Sequence, residues 1–490
     1  MSSDKRDKYQ EPLVGRYTNK SMQYVFSDNF KFPTWRKCWT ALAKGEMELG
    51  LEVINQGMID ELVAAQKTID YDVAAGKEKE IRHDVMAHVY EYGTHCPTAA
   101  EMIHLAATSQ FVGCNTDLVQ MREATNLVET GLVNVINNMS KMAENHKDLV
   151  TLAFTHYQPG QPTTIGKRMT LYIQDLLSDL ETIQSLDFKA RGTKGTTGTQ
   201  ASYLELFEGD FEKVKALDGL VSKELGFDSF FPVTGQTYPR KFDTKVAEAL
   251  AGIGVSLYKF AGDIRLLSNQ KIVDEPFAKD QTGSSAMPYK RNPMRSERLC
   301  SIARKLIGLV PNFYDTAKNQ WLERTLDDSA IRRMDIPQAF LSTDAILILA
   351  NNITNQDVNP EKGRPLTFYP KRITRLLNEE LPFMASEAIL MDLVKEGYGR
   401  QEMHELMKHH SVETGIAIKE EGSDNDLFFR LGADSNFPLS EKDLNLYLER
   451  PKRFSGAADI QTTEYLEDVV KSVLKKNEHL IGKMNAEIKV

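Results

Sequence analysis

The stretch DTKVAEALAGIGVSLYKFAGDIRLLSNQ, residues 243–270, decides the fold. Val246, Leu250, Ile253, Leu257, Phe260, Ile264 and Leu267 recur through it at steps of three and four, the spacing that lines one face of an α-helix. No proline interrupts the run, and Asp243 stands where an N-cap would accept the first free amides. At ~1.5 Å per residue such a helix is about 40 Å long. Similar patterns cover Asn115 to Lys147, Thr163 to Leu186, Arg295 to Leu309 and Ser329 to Asn351. Together they predict a long helical bundle. Helices apolar on more than one side need more neighbours than one chain supplies, which predicts a homo-oligomer.

Outward from the bundle the patterns shorten. Residues 1–110 and 363–490 read as smaller helical domains flanking a central domain, 111–362, with the second boundary inside NNITNQDVNPEKGRPLTFYPKR (351–372). Strand signals are sparse: FFPVTG (230–235) is suited to local pairing, but strands and helices do not alternate as a parallel sheet requires. The fold class is therefore all-α. A chain of 490 residues, 41% hydrophobic and 26% charged, has the length and composition of a globular protein with more than one domain. With 60 basic against 69 acidic residues, its charge of −9 argues against a polyanion such as DNA as the main partner. Cys38, Cys96, Cys114 and Cys300 are scattered and form no CxxC pair, which fits a reduced compartment. The first residues carry no apolar leader pattern, and no apolar run approaches the ~18 residues of a membrane span. The expected location is cytoplasmic.

Three polar segments fall at the ends of the long helices: HLAATSQFVGCNTD (104–117), THYQPGQPTTIGKR (155–168) and GSSAMPYKRNP (283–293). They read as loops, and a bundle of antiparallel helices is able to gather them into one site. His156 stands among hydroxyl and amide side chains rather than on an apolar stripe, as a proton donor or acceptor would. The hydroxyl of Ser284 is a poor base by itself; Lys290 and the N–H groups of its loop supply what an alkoxide needs. In ERTLDDSAIRR (323–333), Ser329 and Arg333 lie four apart on one helical face with Arg324 just upstream, a seat for phosphate or carboxylate. The competing reading is a solvated face salt-bridged through Asp327 and Asp328. Other motifs fall away. HELMKH (404–409) has one residue too many for a zinc-binding HExxH, EMIH (101–104) lacks the second copy of a di-iron bundle, and GTKGTTGTQ (192–200) lacks the GK[ST] of a phosphate loop. That glycine-rich segment reads instead as a mobile, substrate-facing turn.

These residues resemble a known family. GSSAMPYKRNP matches SSxMPxKxNP, the signature of the fumarase/aspartase superfamily of lyases. Extended to GSSAMPYKRNPMRSER and joined by RHDVMAHV, THYQPGQPTTIGKR, KGTTGTQAS, TGQTYPRK and ERTLDDSAIRR, the chain is similar to the animal-type adenylosuccinate lyase family. The likeness runs from about Arg16 to EGSDNDL (421–427). It implies a three-domain, all-α fold whose central helices form a tetramer core, with each active site drawing on three subunits. The implied reaction is β-elimination of fumarate, from adenylosuccinate to give AMP and from SAICAR to give AICAR, without cofactor or metal.

The family roles then fall on Ser284 as general base, His156 as general acid, Lys290 with loop amides as stabilisers of the aci-carboxylate, and His83 as a helper beside the substrate. Implied substrate contacts are Arg16, Tyr17, Arg82, His83, Asp84, Thr108, Ser109, Gln236 and Arg298, with Arg324, Ser329 and Arg333 for phosphate. The chain departs from the family at Ala106, where Gly is usual, and at Cys114, where Asp is usual; its 351–372 connection also looks longer. Argininosuccinate lyase and fumarase share the signature, but their substrates carry no phosphate to fill the arginine seat. A non-catalytic structural protein on the same fold would have no need of both His156 and Ser284.

Overall fold

The computed structural model describes residues 7–484; positions 1–6 and 485–490, the outer ends of the first and third expected domains, lie outside the described residues. The helices that matter here are α1 (Asp28–Glu48), α2 (Asp84–His95), α3 (Ser109–Asn145), α4 (Ile165–Gln184), α5 (Lys241–Asn269), α6 (Met294–Lys318), α7 (Asp328–Thr354), α8 (Pro370–Lys395), α9 (Arg400–Glu420) and α10 (Leu427–Ala433). Every apolar position that predicted α5 is buried. α6 continues past Leu309, through Pro311, to Lys318. In α7 the residues from Ala339 to Asn351 are all buried, so this helix is packed on every side.

Side-chain bonds fix the directions of the bundle. Asp117 and Asn138 of α3 meet Arg332 and Asn351 of α7, so these helices run parallel. Arg240, just before α5, meets Asp328 at the start of α7, whereas Arg295 at the start of α6 meets Asn352 near the end of α7. Thus α3, α5 and α7 point one way and α6 the other. One apolar core extends through α1 to α7, and a second cluster on α8 to α10 includes Ala385, Leu393, Met403 and Phe428.

Two expectations need correction. Asp243 does not cap α5: the cap position is Arg240, and the Asp243 carboxylate accepts instead from Tyr238 Oη (2.6 Å) and Arg332 Nε (2.7 Å). THYQPGQPTT is not a loop. It is most of a β-hairpin, β1 (Val150–Thr155) and β2 (Gln158–Thr164), with Thr155 opposite Gln158 and only His156 and Tyr157 between them. FFPVTG contributes one bridge, Phe230 to Ala190. The 351–372 connection folds back on the base of the signature loop, where β3 (Val273–Asp274) pairs with β6 (Thr367–Phe368) and β4 (Phe277–Ala278) with β5 (Gly363–Arg364).

Glu46 on α1 is fully buried, and among the described residues neither carboxylate oxygen has a partner. Desolvation pushes its pKa up to about 9, so the folded chain carries it protonated at neutral pH. Between the ordinary carboxylate value and 9 the folded state then binds one proton more than the unfolded state, and stability falls by up to about 1.4 kcal/mol for each pH unit gained. Glu46→Gln is expected to stabilise the chain by roughly 2–3 kcal/mol at pH 7, with little difference at pH 5. Denaturant midpoints at the two pH values check this; equal gains at both would show that the carboxyl does not titrate between them.

Candidate active site

The predicted site residues fall at both ends of the bundle. At the end where α3 and α7 begin, Thr108 is the residue before α3 and Ser109 its first residue, while Ser329 is the second residue of α7. Two helix N-termini there present the positive ends of their dipoles, which favour an anion; the amides of Phe111 and Ser329 are already held by Thr108 O and Leu326 O. Arg324 sits beside them, half-buried, its Nη1 donating to Gln236 Oε1 at 2.9 Å. Gln236 in turn donates to Thr108 Oγ1 (3.3 Å), and its own N–H is held by Glu323 O (3.0 Å). The backbones pack so closely that a Cβ on Gly235 would lie 2.3 Å from that same carbonyl. Glycine is required by the approach.

The RHD segment reaches the same end. Arg333 Nη2 donates to Asp84 Oδ2 at 3.0 Å. His83 caps α2, its Nδ1 accepting from the Met86 amide (3.3 Å), which leaves Nε2 to carry the proton outward. Behind it is His104, whose Nδ1 accepts from Trp39 Nε1 (2.9 Å) and whose pKa burial lowers to about 4. Arg82 ends the preceding helix in the left-handed region, φ 54°.

The other two segments are at the opposite end. Ser284 lies in the loop before α6, and its Oγ accepts from the amides of Met287 (3.1 Å) and Ala286 (3.4 Å). The loop doubles back, so that a Cβ on Gly283 would come within 2.6 Å of Lys290 O. Lys290 and Tyr289 are exposed. Just inside α6, the Arg298 guanidinium stacks over the Tyr17 ring at 5.3 Å, next to exposed Arg16. His156 is exposed at the tip of the hairpin, with φ 54°, followed by Tyr157 with φ 58°. Both positive values are what a two-residue type I′ turn demands, and for residues other than Gly, Asn or Asp they cost roughly 1–2 kcal/mol each. The backbone is thus strained where the proposed acid projects.

One chain therefore does not gather its candidates. The arginine seat and Ser284 are separated by the 27-residue length of α7, roughly 40 Å. Among the described residues no hydrogen bond, ion pair or ring contact joins His156 to Ser284 or either to Arg324. A cleft of about 600 Å³ between Asp179 and Glu248 contains none of the predicted residues.

The competing reading of ERTLDDSAIRR, a solvated salt-bridged face, is corrected: the Asp328 pairing is buried. Asp328 is buried against Arg240 and Arg332 against Asp117 and Asp243, which is structural pairing; Arg324 lies between Gln236 and Asp328, its Nη2 3.7 Å from Asp328 Oδ1, while Ser329 is half-buried and Arg333 exposed. GTKGTTGTQ is not mobile throughout. Asp218 pins its first half by accepting from the Thr193 amide and hydroxyl, Lys194 Nζ and Gln200 Nε2, and only Thr196, Thr197 and Thr199 are exposed. Sequence reasoning missed Gln110, which, with its amide oxygen turned inward, accepts from Arg324 Nη1 (3.2 Å) and Nη2 (3.0 Å). Its place one turn from Cys114, a thiol 3.8 Å from Arg240 Nη2, was the available signal. Ala106 has φ 52°, in the left-handed region that favours glycine.

The helical bundle carrying the GSSAMPYKRNP loop is that of a lyase of the fumarase/aspartase class, as the family model shows. A model of the lyase family matches residues 13–308, and one for the adenylosuccinate lyase C-terminus matches residues 382–465. Solved structures share the fold: a 3-carboxy-cis,cis-muconate lactonizing enzyme from Pseudomonas putida has a TM-score of 0.78 at 22% identity, covering 96% of this chain and 100% of that one. A fumarate lyase from Mesorhizobium sp. BNC1 gives 0.78 at 20% identity, covering 95% of this chain and 99% of that one. Adenylosuccinate lyase of Schizosaccharomyces pombe is 46% identical over 98% of this chain and 99% of its own length. That of Saccharomyces cerevisiae is 47% identical over 96% of each. The chain belongs to the adenylosuccinate lyase family.

Proposed function

We propose that the chain eliminates fumarate from adenylosuccinate, leaving AMP, and from SAICAR, leaving AICAR, in purine nucleotide biosynthesis. Ser284 takes the proton from the carbon beside a carboxylate, and Lys290 with loop amides holds the charge of the aci-carboxylate. His156 protonates the departing nitrogen. Arg324, Ser329 and Arg333 bind phosphate, and His83 with Arg82, Asp84, Thr108, Ser109, Gln236, Arg16, Tyr17 and Arg298 surround the remainder. What carries the reading is the signature loop: two amides already aim at the Ser284 oxygen, the arrangement that stabilises an alkoxide. The exposed Lys290 gives the same loop a cation.

A phosphorylated succinyl-purine cannot span roughly 40 Å, so the seat of one subunit must serve the base of another. We infer a homotetramer with sites shared among subunits. Val255, Tyr258 and Leu266 of α5 and Leu171 of α4 are apolar positions exposed in one chain, as a helical tetramer core would require. The proposed division remains 1–110, 111–362 and 363–490, and the proposed location is the cytoplasm. All four cysteines are buried and unpaired, and among the described residues no helix is long and apolar enough to cross a membrane.

Mixing tests the shared site. His156→Ala and Ser284→Ala are each expected to be inactive, yet an equal mixture, dissociated and reassembled, should regain roughly a quarter of wild-type activity, because random assembly leaves that share of sites with both groups. No recovery in a verified hybrid would place His156 and Ser284 of each site on one subunit and remove their division between subunits.

A further inference from the structure

We propose that His409, His410 and Glu413 on α9 form a site for a divalent transition-metal ion of the zinc class, separate from the lyase chemistry. Their spacing places Glu413 one turn beyond both histidines. His409 Nε2 is 3.4 Å from Glu413 Oε1, and His410 Nδ1 is 3.7 Å from Glu413 Oε2. One ligand atom from each of the three lies within 4.8 Å of the others. Tetrahedral zinc with bonds of about 2.0–2.2 Å holds its ligand atoms roughly 3.4 Å apart. His409 and Glu413 are exposed enough to close that difference by side-chain rotation alone.

His410 provides the stronger indication. Its Nε2 is bonded to Asp434 Oδ2 at 2.9 Å, while its Nδ1 is buried and, among the described residues, without a hydrogen-bond partner. A carboxylate on one ring nitrogen fixes the tautomer that leaves the other nitrogen a lone pair, the usual support of a metal-bound imidazole. A salt bridge whose only purpose was to tie α9 to the end of α10 would use Nε2 and gain nothing from an unsatisfied Nδ1. Arg430 Nη1 stands 3.7 Å from Glu413 Oε2, but its Nε is bonded to Asp426 at 2.8 Å, so Glu413 can turn to a cation without stranding the guanidinium. Two imidazoles and one carboxylate suit zinc, nickel or copper; magnesium and calcium prefer oxygen donors throughout. The fourth position is left to water. His404, the first histidine of the HELMKH segment, lies outside the triad.

The full-length chain, stripped with a chelator, is titrated with zinc chloride alone and separately with magnesium chloride, heats being read by calorimetry. The expected result is one zinc per chain and no magnesium binding at matched concentrations. Affinity should fall at least about tenfold in His410→Ala and Glu413→Gln, by about 10- to 100-fold in Asp434→Asn, and not at all in His404→Ala. His409→Ala and Glu413→Gln alter exposed side chains, so they carry the test should a His410 variant fail to fold. The proposal is overturned if the parent chain binds no zinc, if magnesium competes equally, or if affinity and stoichiometry stay unchanged in both His409→Ala and Glu413→Gln.

Discussion

Alanine at position 284 is expected to lower turnover of adenylosuccinate by about a thousandfold, some 4 kcal/mol of transition-state stabilisation, while substrate affinity stays within a few-fold of the parent. The asymmetry follows from where each group sits. In the proposed site, ground-state affinity is assigned to the arginines and helix N-termini around Arg324, Ser329 and Thr108, which this substitution does not touch. The amides of Ala286 and Met287 also remain, since the loop's backbone turn, Lys290 N to Met287 O at 2.9 Å, does not depend on the Ser284 side chain. What disappears is the oxygen those amides address. Ser285 is the internal control: it has the same hydroxyl and is exposed, so Ser285→Ala should stay within about tenfold of the parent rate. Fumarate release gives the rates, and calorimetric binding of adenylosuccinate to the slow variant gives the affinity. A Ser284→Ala chain that retained more than about a tenth of parental turnover would remove the hydroxyl from the mechanism.

Local pattern carried the bundle. α5 was legible because its core positions recur at helical spacing and no proline or glycine pair breaks them. The hairpin holding His156 was not, because Pro159 and Pro162 lie inside β2 and the tip is His-Tyr rather than the Asn-Gly that normally announces a type I′ turn. Tertiary contacts impose that turn: Arg168 Nη2 donates to Leu152 O at 2.6 Å and Gln161 Nε2 to Glu387 of α8 at 2.5 Å. Asp243 failed as a cap for a related reason. Of its partners, Tyr238 is only five residues upstream, but Arg332 comes from α7, which no window around residue 243 contains. Motif recognition named individual candidates in the site, but their grouping was beyond local reading: helix-end segments that look ready to converge lie at opposite ends of α7.

The adjacent arginines of α7 offer the second large effect, one that local sequence could not assign. Arg332 is 8% exposed; its Nε donates to Asp243 Oδ2 (2.7 Å), its Nη1 to Asp117 Oδ2 (2.8 Å), and Nη2 bonds the Tyr238 hydroxyl. Asp243 is itself 3% exposed, so Arg332→Met would leave a buried carboxylate whose remaining side-chain partner is the neutral Tyr238 hydroxyl. Uncompensated buried charge of this kind costs about 3–5 kcal/mol. The Arg240–Asp328 pair, both side chains 1% exposed, belongs to the same network, and weakening it would loosen the start of α7 where Ser329 stands. Arg333, one residue on, is 65% exposed and pairs with Asp84 at the surface, where such a bridge is worth about 0–1 kcal/mol. Arg333→Met should therefore unfold at nearly the parental denaturant concentration while its KM for adenylosuccinate rises by about tenfold or more. Arg332→Met should lose most of its margin of stability. If instead both variants unfold together and bind substrate alike, neither guanidinium has the role its burial indicates, and the phosphate seat must be sought away from α7.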